Sequence, residues 1–428
     1  MTPTTRRSFL ALTAGAGTVL GLAACGGDSG GGGDIPEEID PNIEAEINYA
    51  MWDVAQRPAM EQIIAAFNED HPNITVNIAV TPFKDYFTKL QTQATGGDLP
   101  DVFMMNGPNF QLYASEGMLQ DVSELPDFDP ANYPEAMNSL YTLDDVQYAV
   151  PKDFDTIGLW YNTRILEEAG VPIPDGSWTW NDFRGHLETI KEKAPDGIWP
   201  LAGTNANQGT VYPLVFQSGG EIISEDGTTS GYDSEASIKT FTFLSELQAD
   251  GLAPDTGYQA ENTPSSVFAG GRAAFFMSGN WSAAVLLDSD VKDEVSAGPL
   301  PYSDQEANVI HGIGNAMAAD GKNKEAAAAF LSFLGSEKAN IIQAEAGAAN
   351  PAFIGTNDAY VRSAPDYNLQ MFIDAAEAAH PYPVSKNTAA WLSLELDWYP
   401  QILDGHVPVE EGCASLAEDM NEALANEQ

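Results

Sequence analysis

Between Glu46 and Met105 the apolar residues repeatedly change period, and that alternation limits the folds open to this chain. Glu46 to Met51 (EINYAM) predicts a first strand, and Met60, Ile63, Ile64 and Phe67 then follow helical spacing. Ile74, Val76, Ile78 and Val80 alternate with polar residues, as in a half-buried strand. Phe83, Tyr86, Phe87, Leu90 and Ala94 return to helical spacing and end at Gly96-Gly97, before a short apolar segment, Asp101 to Met105 (DVFMM). This strand–helix–strand–helix–strand order predicts a mostly parallel sheet with helices on both faces. Such sheets take ligands in the crevice beyond the carboxyl ends of their strands.

A second stretch repeats the style without the sequence. Strands are predicted at Ile157–Tyr161, Ile198–Ala202 and Ala273–Met277, the last preceded by Gly270-Gly271. Helices are predicted at Asn181–Ala194, with Phe183, Leu187 and Ile190 inward, and at Ser237–Ala249, with Ile238, Phe241, Leu244 and Leu247 on one face. Helices then dominate, at Lys324–Leu334, Lys338–Ala346, Leu369–Ala379, Ala389–Leu403 and Val409–Ala425. No short-period repeat occurs, which argues against a solenoid or propeller. The fold class expected is α/β, as two α/β lobes with a cleft between them.

Charge narrows the partners. Against 63 acidic residues stand 18 Lys plus Arg, a net charge of −45 over 428 residues. A nucleic-acid partner is excluded, because a phosphate backbone needs a basic surface to replace its counterions. Electrostatic attachment to anionic lipid is disfavoured for the same reason. Two cysteines, Cys25 and Cys413, supply neither a disulfide framework nor a multi-cysteine metal site. Cys413 is expected to be a small buried apolar residue.

The first 25 residues read as an address. Arg6-Arg7 precedes Ser8-Phe9-Leu10 and an uncharged apolar run to Ala24, too short and wrongly flanked for a spanning helix. Thr5 to Leu10 looks like a twin-arginine export signal, which implies folding before export. Leu22-Ala23-Ala24-Cys25 resembles a bacterial lipobox, with residues 1–24 removed and Cys25 lipidated as the mature N-terminus. The alternative is an ordinary secretory peptide in which Cys25 is incidental. Residues 25–38 then form an anchor and tether, and its segment GGDSGGGGD (26–34) would span about 15–18 Å as a flexible chain.

Most catalytic templates are empty. There is no Walker loop, no Gly-x-Gly-x-x-Gly after the first strand, no His-Glu-x-x-His and no Gly-x-Ser-x-Gly, so no metal and no cofactor is expected. Two carboxylates suffice for a glycosidase, but with 63 acids a suitable pair carries little weight. What stands out is polar and aromatic residues at strand ends. Trp52 and Asp53 follow the first strand, Asn106 follows Met105, and Asp155 precedes the Ile157 strand. Asn280-Trp281 follows the Ala273 strand, and His311, Gly312 and Asn315 lie where the chain is expected to return to the first lobe. Rings stack on the C–H faces of sugars while carboxylates and amides pair with hydroxyls, so a sugar pocket is the expectation.

From about Ile47 onward the chain resembles the extracellular solute-binding proteins of the sugar-binding family, lipoprotein relatives of maltose-binding protein. The resemblance is carried by FNEDHPNITVNIAV (67–80), GGDLPDVFMMNGPNFQLYASEGMLQDVSEL (96–125), YAVPKDFDTIGLWYNTRILEEAGVPIPDGSWTWNDF (148–183), FAGGRAAFFMSGNW (268–281) and Asn350-Pro351. It implies a periplasmic-binding-protein-like fold, with a first lobe of 39–153 plus 311–356 and a second of 154–310 plus 357–428. It implies a monomer that captures a sugar, a di- or oligosaccharide, by hinge closure, performs no chemistry, and delivers the sugar to the membrane permease of an ABC importer. Carried over position by position, Asp53 and Gln56 would bond hydroxyls beside Trp52. Asn106 and Asn109 stand where maltose binders place an aromatic, an Asp and an Arg, so maltose itself is disfavoured. Asp155 matches the carboxylate near the first crossing, Trp281 the stacking Trp of the second lobe, and Asn207 a polar contact from Asn205–Gln208. Trp391 lies near another family aromatic, with Leu392 as the alternative register. Two rivals remain open: a lipid-anchored secreted carbohydrate-active enzyme, and a ligand-sensing receptor lobe.

Overall fold

In the computed structural model, which describes residues 35–36 and 39–427, the alternating Ile74–Val80 segment is an edge strand with one face half-buried. The twin-arginine segment, Cys25 and the Gly-rich stretch lie outside the described residues. Twelve strands occur among the described residues: β1 (Ala45–Met51), β2 (Ile74–Val80), β3 (Val102–Asn106), β4 (Thr142–Leu143), β5 (Val146–Gln147), β6 (Ala149–Asp155), β7 (Ile157–Asn162), β8 (Trp199–Leu201), β9 (Ala273–Gly279), β10 (Val295–Gly298), β11 (Asn308–Met317) and β12 (Ala379–Pro381). One sheet runs β12-β11-β3-β1-β2 with β6 also on β11, and a second runs β10-β7-β9-β8.

Parallel pairing holds where local sequence dictates it. β1 lies parallel to β2 and to β3, joined by the helices Arg57–Phe67 and Phe83–Gly96, because a parallel connection needs a crossover. Gly97, at φ 66°, ends the second of these in the left-handed region. Elsewhere the sheets are mixed: β8–β9 and β11–β12 are parallel, but β11 is antiparallel to β3 and β6, and β7 is antiparallel to β9 and β10, against the mostly parallel expectation. The reason is topological. β11 re-enters the first sheet from the second, and nothing local encodes the direction of a strand arriving from so far along the chain.

Each sheet is covered on both faces, and strand alternation assigns the side chains. Val102 and Met104 pack with Met60, Ile63 and Phe330, while Phe103 and Met105 pack with Tyr86, Phe110 and Tyr141. In the second sheet Leu159 and Tyr161 join Phe183, Phe241 and Leu416, whereas Trp160 faces Leu286 and Phe372. Cys413 belongs to the first of those two cores, where burial pushes its thiol up to about 12. The helix expected over Leu369–Ala379 is interrupted: Gln370–Asp374 is helical, Ala375–Ala378 tightens to a 3-10 turn, and Ala379 starts β12. That turn lets Ala379–Pro381 pair with Asn308–Ile310.

The sheets meet where β6 passes into β7. Thr156 between them is fully buried; its N–H donates to Asn280 Oδ1 at 3.1 Å and its hydroxyl to the Phe372 carbonyl at 2.6 Å. The next residue, Ile157, is held by the Asn308 amide, whose Oδ1 accepts from its N–H at 2.9 Å and whose Nδ2 donates to its carbonyl at 2.7 Å. Just upstream, β6 and β11 slip register: Ile313 faces Asp153 and Gly314 faces Pro151, which leaves Lys152 as the extra residue of a bulge. Asn308→Ala would strip both buried groups of Ile157 at once. A loss of about 2–4 kcal/mol is expected, read as a lower midpoint of equilibrium unfolding in urea.

Candidate functional site

At these crossings lies a cavity of about 590 Å³, walled by residues of both lobes. On the β1 side Trp52, half-buried, leans its ring on Tyr86 (centroids 5.0 Å), Phe83 (5.6 Å) and Phe87 (5.8 Å). Asp53 caps the short turn Val54–Gln56, accepting from Ala55 N–H at 2.9 Å, and its second oxygen accepts from Gln56 Nε2 at 3.1 Å. Gln56 Oε1 in turn accepts from Lys152 Nζ at 2.7 Å, and the same ammonium donates to Asp153 Oδ2 at 2.6 Å. Asp153 Oδ1 accepts from Ile313 N–H at 3.1 Å. Burial pushes the Asp153 carboxyl above its ordinary range, and the adjacent Lys152 pulls the other way. A run of polar contacts therefore links Asp53 to Asp153 through the bulge residue.

The floor is built around Asp155 and His311. Asp155 Oδ1 accepts from Gln208 Nε2 at 2.5 Å, and its Oδ2 lies 3.7 Å from His311 Nδ1. His311 Nε2 accepts from Gly107 N–H at 3.3 Å, so a neutral ring carries its proton on Nδ1, toward Asp155. Tyr382 packs against the imidazole, ring centroids 4.8 Å apart. Asn106 caps the helix Gly107–Ser115, accepting from Asn109 N–H at 3.2 Å and from Asn109 Nδ2 at 2.8 Å.

The second lobe contributes the opposite wall. Trp281 is 38% exposed, unusual for so large an apolar ring. It rests on the backbone of Gly279, where a Cβ would come within 1.8 Å of the ring. Asn280 lines the cavity yet spends its amide on the crossing, accepting from Thr156 N–H and donating to the Phe154 carbonyl at 3.3 Å. Asn207 donates from Nδ2 to Glu395 Oε2 at 3.1 Å, and its Oδ1 accepts from Gln208 N–H at 2.7 Å.

Ten of the residues singled out from the sequence line this cavity: Trp52, Asp53, Gln56, Asn106, Asn109, Asp155, Asn207, Asn280, Trp281 and His311. Three do not. Gly312 turns away from it, since alternation along β11 sends it toward Met137 and Asp153. Asn315 shares a face with His311 and Ile313 but sits deeper, 1% exposed, where its Oδ1 accepts from the Tyr49 hydroxyl at 2.8 Å. Trp391 is fully buried in the second-lobe core with its indole N–H on Ser385 Oγ at 2.9 Å; Leu392, one residue round the helix, reaches the cavity instead. The sequence reading missed Asp153, Phe154 and Tyr382, and reached Gln208 only as the end of the stretch Asn205–Gln208. Asp153 and Phe154 lie inside the KDFD segment beside Asp155, a charge run that a buried strand would not ordinarily carry, and that was the available signal.

The lining holds aromatic faces, amides and carboxylates, with no Lys or Arg side chain among the described residues that form it. Among the described residues no group of three or more His, Cys, Asp or Glu is placed to hold a metal ion. Such a surface can stack against and hydrogen-bond a polyhydroxylated molecule.

Comparison with known proteins agrees with this geometry. The family model for bacterial extracellular solute-binding proteins matches residues 52–341. A diacetylchitobiose-binding protein of Streptomyces coelicolor is 26% identical over 99% of this chain and 100% of its own length. A galactooligosaccharide-binding protein of Bacillus subtilis is 25% identical across 74% of each chain. Among solved structures, an ABC substrate-binding protein of Listeria monocytogenes in complex with cycloalternan superposes with a TM-score of 0.84 at 25% identity, covering 90% of this chain and 100% of that one. The GacH receptor of Streptomyces glaucescens, at 20% identity and a TM-score of 0.81 over 90% of this chain and 100% of its own, matches in fold. With a family match over most of its length and two α/β lobes enclosing a lined cleft, this chain belongs to the bacterial extracellular solute-binding proteins, which work outside the cytoplasm.

Proposed function

We propose that the cleft captures a neutral di- or oligosaccharide, and that closure of the lobes presents the loaded protein to the membrane permease of an ABC importer. The observation that carries this reading is the lining: Trp52 from one lobe and Trp281 from the other, with amides, carboxylates and the His311 ring between them and, among the described residues, no Lys or Arg side chain for an anionic ligand. Its volume of about 590 Å³ suits a ligand of more than one sugar ring. The ligands named for the relatives are saccharides as well.

The reading of binding without chemistry is supported by how the carboxylates are held. Asp53, Asp153 and Asp155 each already accept hydrogen bonds from protein donors, which orients them as fixed acceptors for hydroxyls. We place the lobes at 39–153 plus 311–356 and at 154–310 plus 357–428. A monomer tethered by lipid on Cys25 completes the reading, supported by the small-small-Cys sequence after the twin arginines and by the Gly-rich stretch that follows.

Titrating the protein without residues 1–25 against mono-, di- and oligosaccharides should give a saturable change in tryptophan fluorescence with one sugar class, and the sugar should be recovered intact. Shortened products would instead identify an enzyme, and silence across the panel a non-sugar ligand or a sensor. Trp281→Ala should weaken Kd about 10- to 100-fold, equivalent to ~1.4–2.8 kcal/mol; unchanged affinity would remove Trp281 from the site. Gly279→Ala should mimic much of that loss, because the new methyl group occupies the space of the Trp281 ring. In cells, Cys25→Ser should move the protein from the membrane fraction to the soluble one, whereas retention on the membrane would refute the lipid anchor.

A further inference from the structure

Behind the second-lobe wall of the cleft sits a carboxylate that touches no ligand space. Glu395 lies on the helix Thr388–Leu403, three residues beyond the cavity-lining Leu392, and is 1% exposed. Its hydrogen-bond partners are neutral. The Tyr212 hydroxyl donates to both of its oxygens at 2.9 Å, Tyr232 donates to Oε1 while sharing a 2.5 Å bond with the Tyr399 hydroxyl, and Asn207 Nδ2 donates to Oε2. Burying an anion among neutral groups is costly, and an apolar residue of similar size would fill the space at less expense. What the carboxylate alone provides is an acceptor with no donor of its own. Of the side chains that donate directly to it, Asn207 lines the cavity; Tyr382, which also lines it, faces Glu395 beside Tyr212 without donating to it.

We infer that Glu395 is a positioning residue for the ligand site: it holds the Nδ2 end of Asn207 and so fixes the hydrogen-bonding face that Asn207 offers to a sugar hydroxyl. This inference rests on the sugar-binding reading of the cleft. An amide can rotate end for end, and Asn207 sits between an acceptor-only carboxylate on Nδ2 and the Gln208 N–H on Oδ1, so only one orientation satisfies both. The constraint is passed on, because Gln208 in turn donates to Asp155 on the cavity floor.

Protonation of Glu395 gives the link a signature. The titratable groups facing it are Tyr212, Tyr232 and Tyr382 from neighbouring segments and Tyr399 from its own helix, and burial pushes all four hydroxyls up, so they remain neutral donors. Burial pushes Glu395 itself up to about 7, against the pull of its hydrogen bonds from Tyr232, Asn207 and Tyr212. Below that pH the carboxyl gains a donor of its own and no longer dictates the orientation of Asn207. Affinity should therefore be highest above pH 7 and fall several-fold by pH 5.5. Asp153 and His311 also face the cavity, so Asn207→Ala serves as the control that isolates the Glu395 step.

The test uses the protein without residues 1–25 and diacetylchitobiose as the probe sugar. Glu395→Gln and Asn207→Ala should each weaken Kd about 5- to 20-fold, and the double variant no further, because the two act through one contact. The wild-type pH step should vanish in Asn207→Ala. In ¹H–¹⁵N spectra the Asn207 side-chain amide of the unliganded protein should titrate near pH 7 and lose that titration in Glu395→Gln. A further loss from Glu395→Gln in the Asn207→Ala background, or a pH step that survives Asn207→Ala, would show a merely structural role and overturn the inference. Should Glu395→Gln fail to fold, the pH profiles of wild type and Asn207→Ala decide alone. Should wild type ignore diacetylchitobiose, that sugar class fails while the amide spectrum still judges the Glu395–Asn207 link.

Discussion

The architecture hangs on a backbone problem solved by two side-chain amides. Where the chain leaves the first sheet after Asp155 and enters the second at Ile157, the polar groups of the crossing have no regular ladder to join, and buried amides without partners are costly. Asn308 answers by presenting its amide as a stand-in for a strand, bonding both the N–H and the carbonyl of Ile157. Asn280 does the same for Thr156 and Phe154. Because these amides close the crossing from the side, the sheets can diverge immediately beyond it. The cleft is the space that this divergence leaves.

That origin explains why the cavity lining is polar on its floor and aromatic on its walls. The floor consists of strand ends and crossings, so its side chains are those that satisfy backbone and each other: Asp155 with Gln208, His311 with Gly107, Asp153 with Lys152. The walls face open space, and there Trp52 and Trp281 sit on supports, an aromatic cluster for one and a bare glycine for the other. The bulge at Lys152 connects the two regions. An inserted residue lets one lysine point back into the protein, where it neutralises Asp153 and orients Gln56, so the excess of acid in this chain does not leave the site crowded with unpaired carboxylates.

How much of this could be read from the chain depended on whether a residue's role was local. The β1–β3 region and its two helices were legible because the apolar period alone sets them, and the strand-end positions of Trp52, Asn106 and Asp155 followed. β6 and β11 were not legible: Pro151, Lys152 and Asp153 inside a fully buried strand defeat any hydrophobic pattern, and the burial exists only because β11 returns to pair with them. Between the two registers left open, Leu392 faces the cavity and Trp391 the core, a difference of the roughly 100° that separates neighbours on a helix, and Asn315 lies deeper along the face that His311 shares. Glu395 was invisible for a different reason. As one acid among 63, it is distinguished only by Tyr212, Tyr232 and Asn207 converging from distant parts of the chain.

Under the proposed function, a ligand that meets both walls would change the balance of lobe positions to the extent that a closed arrangement brings Trp52 and Trp281 against it together. The energy available for that shift is the difference in contact between open and closed forms, and not the total affinity. On the same proposal, the groups already fixed on the floor would meet a sugar with their orientation set in advance, so they would bear on which sugar is held. The exposed ring of Trp281 has the most surface still to cover, so under the proposed function it is the wall residue whose contact would grow on closure. On that reading recognition and closure would be carried by different residues, and a cleft could alter its preferred sugar through the floor while keeping the closing response of its walls.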